Sequence, residues 1–278
     1  MTVRRRLRRP LAQRARQTLA ALAVGAAAPA LADAPLWELG LGAAALRLPY
    51  YRGADQSRNW LLPMPYLALR GRVLRADRDG ARAMLVDGER LEIDLSATAS
   101  PPTASRSSDA RAGMPDLAPT VELGPNASLV LARAADWKLE LRLPVRAVFT
   151  LRGTPQHIGW SVAPNLNLDL RSRQWNFGAQ LAALAGDRRL HAYYYDVASA
   201  YATAARPAWR AAAGRAGWQG TLSATRRDAS LWFGAFVRVD TLAGAAFEAS
   251  PLVRRRDDVS FGVGLAWIFA ASAQRAAP

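Results

Sequence analysis

Few side chains in this 278-residue chain are equipped for chemistry. The imidazole bases are His157 and His191. A nucleophile needs a base within hydrogen-bond reach, and neither histidine stands in a serine motif. With no carboxylate cluster beside them they also make a poor metal site, and both read as turn or interfacial residues. The chain has no cysteine, which excludes thiol nucleophiles, thiolate metal sites and disulfides. Asp77/Asp79 frame a turn ending at Gly80 and Asp257/Asp258 adjoin three arginines, so turn and loop composition explains both pairs. No catalytic residue, metal or cofactor is expected. What remains is guanidinium chemistry: Arg188/Arg189 and Arg254 to Arg256 suit bidentate hydrogen bonding to phosphate, or stand as solvated charge.

A second set of charged residues is marked by its spacing. From Trp137 to Phe149 an apolar residue occupies nearly every second position, with Lys138, Glu140, Arg142 and Arg146 between; from Ile158 to Leu170 the same holds, with Asn165, Asn167 and Asp169 between. Side chains on a strand point to opposite faces in turn, so each segment has one face fit for hydrocarbon and one for water. Each also exceeds the roughly 9 to 11 residues that a tilted strand needs to cross a bilayer. Strands of a soluble sandwich are usually about 5 or 6 residues long. Glu140, Arg142, Arg146 and Asp169 are then expected to form a polar network facing the interior of a barrel.

The first thirty-two residues read as a secretory signal: seven arginines from Arg4 to Arg16, an apolar run from Leu19 to Leu31, and small residues through Ala32. The mature chain would begin at Asp33 and form one barrel domain over 33–278. Taking those seven arginines from the formal charge of +15 leaves +8. That charge is spread among acidic neighbours, unlike a nucleic-acid stripe, so nucleic acid is not an expected partner.

Alternation continues along the chain: Trp37 to Ala45, Leu91 to Ala99, Val121 to Leu131, Trp175 to Leu181, Trp218 to Thr225, Leu231 to Val239 and Phe261 to Phe269. Weaker candidates are Trp60 to Arg75, Ala81 to Val86 and Leu190 to Thr203. Twelve strands result, and an even count returns both termini to one side, as in bacterial outer-membrane barrels. Trp37, Trp60, Trp137, Trp175 and Trp209 lie at or near strand starts and Phe149 and Phe269 at strand ends, where headgroup belts would sit; Trp160 lies further into its strand. The last strand sets large residues, Phe261, Val263, Leu265, Trp267 and Phe269, against small Gly262, Gly264 and Ala266. It resembles the closing strand of outer-membrane barrels, with Trp267 and Phe269 as the assembly signal, although nine residues follow Phe269. The expected location is the outer membrane of a Gram-negative bacterium, in contact with the lipid bilayer and lipopolysaccharide.

Several motifs carry a family resemblance. They are Pro49-Tyr50-Tyr51-Arg52-Gly53-Ala54-Asp55, Leu62-Pro63-Met64-Pro65-Tyr66, Gly113-Met114-Pro115-Asp116-Leu117 leading into Glu122-Leu123-Gly124-Pro125, Tyr193-Tyr194-Tyr195-Asp196-Val197, and Gly244-Ala245-Ala246-Phe247 with Ser250-Pro251-Leu252-Val253. Together they resemble the MltA-interacting protein family, also called MipA/OmpV. The resemblance implies an outer-membrane barrel that scaffolds murein enzymes, a lytic transglycosylase and a penicillin-binding protein; other members are treated as porin-like or adhesive.

Wide aqueous channels need about 16 to 18 strands, so a broad pore is not expected from twelve. Ser100 to Ala118 is the longest stretch without periodicity, and loops of that length are usually functional or disordered. It is read as the partner contact, with Met114 and Leu117 as apolar anchors beside Asp116. If Leu91 to Ala99 is the fourth strand, this segment lies in the periplasm with the murein enzymes. The reading is thus a non-catalytic scaffold. The alternative is a narrow channel for small solutes, and the third reading a lipid-modifying enzyme.

Overall fold

The computed structural model describes residues 34–71, 73–77 and 80–276. The expected signal and the start at Asp33 lie outside them. Thirteen strand segments follow in order: β1 (Trp37–Pro49), β2 (Ser57–Arg70), β3 (Leu74–Asp77), β4 (Gly80–Asp87), β5 (Leu91–Ser100), β6 (Thr120–Arg133), β7 (Trp137–Thr150), β8 (His157–Val162), β9 (Asn165–Ser172), β10 (Trp175–Gly186), β11 (Gly214–Arg227), β12 (Leu231–Thr241) and β13 (Asp257–Ala271). Each pairs antiparallel with its neighbours, and β1 pairs with β13 while β10 pairs with β11, so the sheet closes.

Segments β8 and β9 are one wall strand. Val162 faces Val145 of β7 and Asn165 faces Arg142, so the register runs unchanged across the gap. The break falls at Pro164, which has no N–H to give the ladder; its carbonyl still accepts from Ala183 N–H at 3.0 Å. Twelve wall strands result. The count matches the expectation by two compensating differences. Trp60 to Arg75 is not one strand: the chain turns at Gly71 and returns as short β3. Leu190 to Thr203 is not a strand at all but helix α1 (Arg188–Tyr195) followed by a 3-10 turn at Ser199–Tyr201. Asp187 caps that helix, accepting from Leu190 N–H at 2.8 Å, which satisfies one of its orphan donors.

The barrel is apolar outside and polar inside. On β13, Val259, Phe261, Val263, Leu265, Trp267 and Phe269 face outward and are exposed, while Asp258, Ser260, Gly262 and Ala266 face in and are buried. Leu61, Leu85 and Leu222 on other strands are likewise exposed. So large an apolar exterior marks a surface for lipid. Aromatic rings mark its two edges. Near the termini stand Trp37, Trp137, Trp175, Phe233, Trp267 and Phe269, with Trp175 touching Phe177 and Phe233 and Trp267 touching Phe269. At the other edge stand Phe149, Trp160, Trp218 and Phe261. From Val259 to Phe269 the outward run spans about 33 Å at ~3.3 Å per residue, which a tilt of about 40° brings close to the ~25 Å band of such barrels. Trp209 stands elsewhere than expected: it pairs with Val197 outside the barrel wall.

Small residues on the inner face of β12 and β13 make room for large ones. A Cβ on Gly234 would lie 2.2 Å from the Trp232 ring, and one on Gly262 would lie 2.7 Å from the Phe236 ring. That packing accounts for the large-and-small pattern of the last strand.

The two ends of the barrel differ. The termini and the short turns 71–73, 88–90, 134–136, 173–174 and 228–230 share one end. The long connections 50–56, 101–119, 187–213 and 242–256 share the other. Leu91–Ser100 is therefore the fifth strand, not the fourth, and the segment after it lies at the end opposite the termini. The residues that the sequence reading placed with the termini, Met114, Asp116 and Leu117, belong with the long loops.

Candidate functional site: a loop cap over a basic lumen

The long connections fold together into a cap with its own hydrophobic core. Tyr51, Ala54, Ala110, Leu117, Tyr195, Val197, Leu242, Phe247 and Leu252 are buried there, with Met114, Tyr194, Trp209 and Val253 packed against them. Tyr195 stacks on Phe247 with centroids 3.7 Å apart. Backbone carbonyls are the common currency of its polar contacts. Tyr51 Oη donates to Leu252 O and Tyr195 Oη to Arg52 O, both at 2.8 Å. Two buried arginines stitch loop to loop without a carboxylate: Arg206 donates to Ala110 O, Ala112 O and Tyr201 O, and Arg111 to Tyr194 O and Pro115 O.

Four of the motifs that carried the family resemblance, around Tyr51, Met114, Tyr195 and Phe247, meet in this one core. Leu117 is only 3% exposed, so it anchors the cap internally; Asp116 accepts from Ser105 N–H at 2.8 Å and from Arg152 at 3.4 Å. The Ser105 bond, then Arg152, hold the Asp116 carboxyl below its usual range. Burial pushes the phenols of Tyr51 and Tyr194 up to about 12. It pushes His191 below 6.5, and His191 Nδ1 donates to Ala212 O at 2.7 Å, leaving a neutral ring against Phe247. His157 sits 3.5 Å from Arg189 and packs on Phe149 and Trp160. Among the described residues no hydroxyl is hydrogen-bonded to either ring. Gly159, at φ +134°, lets the start of α1 lie on β8: a Cβ there would meet Asp187 Oδ1 at 2.3 Å.

Beneath the cap the lumen holds cavities of about 570, 380 and 600 Å³, the first against the cap and the last toward the termini. Their walls carry a repeated arrangement, one buried carboxylate under two bases. Glu140 meets Lys138 and Arg142, each at 2.6 Å. Glu38 meets Arg227 at 2.6 Å and Arg70 at 3.0 Å. Asp240 meets Arg52 at 2.8 Å and Arg238 at 3.1 Å. In every pair the carboxylate is nearly inaccessible and the base more exposed. The face presented to the lumen is therefore cationic.

Of the four residues expected to form an interior network, Glu140, Arg142 and Asp169 do come together, with Arg142 3.6 Å from Asp169. Arg146 stands apart, donating to Ser96 Oγ at 3.1 Å. Sequence alternation located the inward charges of β7 and β9 but did not assemble the Glu38 and Asp240 clusters. Arg52 dips into the barrel from the first long loop, and Arg227 of β11 reaches Glu38 of β1 across β12 and β13.

A closed antiparallel barrel with a lipid-compatible exterior, a polar interior and a folded cap defines a transmembrane β-barrel protein. The family model described as "MltA-interacting protein MipA" matches residues 41–269. The chain belongs to that family. Among curated proteins no match is found. Solved structures like it are outer membrane phospholipase A from Escherichia coli (10% identity, 85% of this chain and 94% of that one, TM-score 0.32) and the CymD monoaromatic hydrocarbon channel (8%, 88% and 69%, 0.32). OprD of Pseudomonas aeruginosa is another (7%, 87% and 96%, 0.27). At such scores none of them bears on what this chain does.

Proposed function

We propose that the chain is an outer-membrane barrel of a Gram-negative bacterium that serves, without catalysis of its own, as a scaffold for murein enzymes. Membership of a family named for interaction with MltA is the observation that carries this reading. Outer-membrane barrels have short periplasmic turns and longer external loops. On that rule the rim of short turns and termini faces the periplasm and the cap faces out. The partner contact accordingly belongs on the rim, where Arg90 and Arg173 are exposed, and not on Met114, Asp116 and Leu117.

The test is recovery of murein enzymes from solubilised envelopes. Wild type and Met114→Ser should recover them equally, and the double substitution Arg90→Glu with Arg173→Glu should lose most of the yield. No recovery by wild type would overturn the scaffold. The second reading, a narrow channel for small solutes, is favoured by the run of lumen cavities; large, steady conductance in planar bilayers would promote it.

A further inference from the structure

The geometry points to the lumen beneath the cap as a binding site for a small soluble oxyanion, a phosphate or a polycarboxylate. It does not rest on the scaffold reading and concerns the opposite side of the wall. Three observations converge on it.

The Glu38 and Asp240 clusters each set one buried carboxylate under two bases, so each leaves one positive charge facing the interior. Arg146 is a further base of this wall, on which the Glu122 and Asp94 carboxylates act from beyond ion-pair distance. It faces the 570 Å³ cavity, and among the described residues no carboxylate stands within ion-pair distance of it. The acids around it are held by neutral donors: Glu122 accepts from Ser161 at 3.0 Å and Asp94 from Asn126 at 2.9 Å. Finally, Arg146 Nε and Arg52 Nη2 are buried donors on that same cavity wall with no hydrogen-bond partner. A half-buried guanidinium with an unmade bond is costly, and an oxyanion is the group that offsets both the charge and the missing acceptor.

Size and route agree. The cavity of about 570 Å³ holds a small solute and not a lipid. Arg82 and Arg142 line both this cavity and the one toward the termini, where Arg70, Arg171 and Arg227 also face the lumen. That row of positive charge would draw an anion inward from the short-turn end.

The test is calorimetric titration of the full chain, folded in neutral detergent, with inorganic phosphate and separately with citrate at constant ionic strength. Saturable binding of either, weakening as sodium chloride rises, is the expected result; the tighter of the two assigns the ligand to phosphorylated or to polycarboxylate solutes. Arg146→Gln should lower the affinity roughly tenfold or more. Arg58→Gln, on the exposed start of β2, should leave it unchanged. Should Arg146→Gln not fold, Arg52→Gln is read in its place. Absence of saturable binding to wild type, or equal affinity in wild type and the folded variant, overturns the site.

Discussion

Glu140 shows what a single residue does in this interior. Its carboxylate is 1% exposed and lies between Lys138 and Arg142 on successive inward positions of β7. Replacing it by glutamine keeps the volume but leaves two cations beside each other with only the more distant Asp169, 3.6 Å from Arg142, and Glu92, 3.8 Å from Lys138, as counter-charges. Glu140→Gln should therefore destabilise the barrel by on the order of 3 kcal/mol, read as a lower urea midpoint for the folded form; an unchanged midpoint would mean that water screens the pair. His191 makes the cap sensitive to acid. Its folded pKa lies below the ordinary 6.5, so the neutral ring stabilises the cap above pH 6.5 and that contribution is lost as pH falls through 6.5 toward the depressed value. Near-ultraviolet circular dichroism of the cap tyrosines should weaken over that range in wild type and stay flat in His191→Gln.

Helix α1 is the element that the sequence concealed. Tyr193 to Tyr195 favour strands by propensity, and alternation around them invites a strand over Leu190 to Thr203. The deciding features are the Asp187 cap and the i, i+4 pair His191 and Tyr195, which face one core. Asp187 three residues before Leu190 was the local signal that could have revealed it. Asp187→Ala should cost the cap about 1 kcal/mol and speed proteolysis in 187–213 while the barrel stays heat-modifiable. At the other extreme Phe261 to Phe269 of β13 was legible, because lipid on one side and packed aromatics on the other enforce alternation there; Asp257 and Asp258, read as loop, are instead the first residues of the same strand. Phe269→Ala should reduce the amount of assembled barrel without changing export, if the outward aromatic end of β13 is read during assembly; unchanged outer-membrane levels would argue against that role. Strand interruptions lie between these cases. The alternating pattern passes through Pro164 unbroken, so the sequence shows one strand and only the ladder shows the missing bond.

At the scale of the molecule, the sequence reading reached the closed barrel and its twelve strands yet misjudged which end the long segment occupies. Parity is unforgiving: splitting Trp60 to Arg75 into β2 and β3 moves everything from β5 to the far side until the helix at 188–195, standing where a strand was expected, restores the count. The cap was illegible for a different reason. Its core is assembled from residues on four separate loops, and no periodicity links Tyr51, Leu117, Tyr195 and Phe247 before the chain is folded. The orientation proposed for this architecture is cap outward, rim and termini inward. The chain has no cysteine, so single cysteines report it without background. Ala112→Cys on the cap and Ala135→Cys on the β6–β7 turn both occupy exposed positions. A membrane-impermeant maleimide should label Ala112→Cys in intact cells and Ala135→Cys only after the outer membrane is permeabilised. Labelling of Ala135→Cys in intact cells with Ala112→Cys protected would contradict the orientation, and with it the placing of the partner contact on the rim.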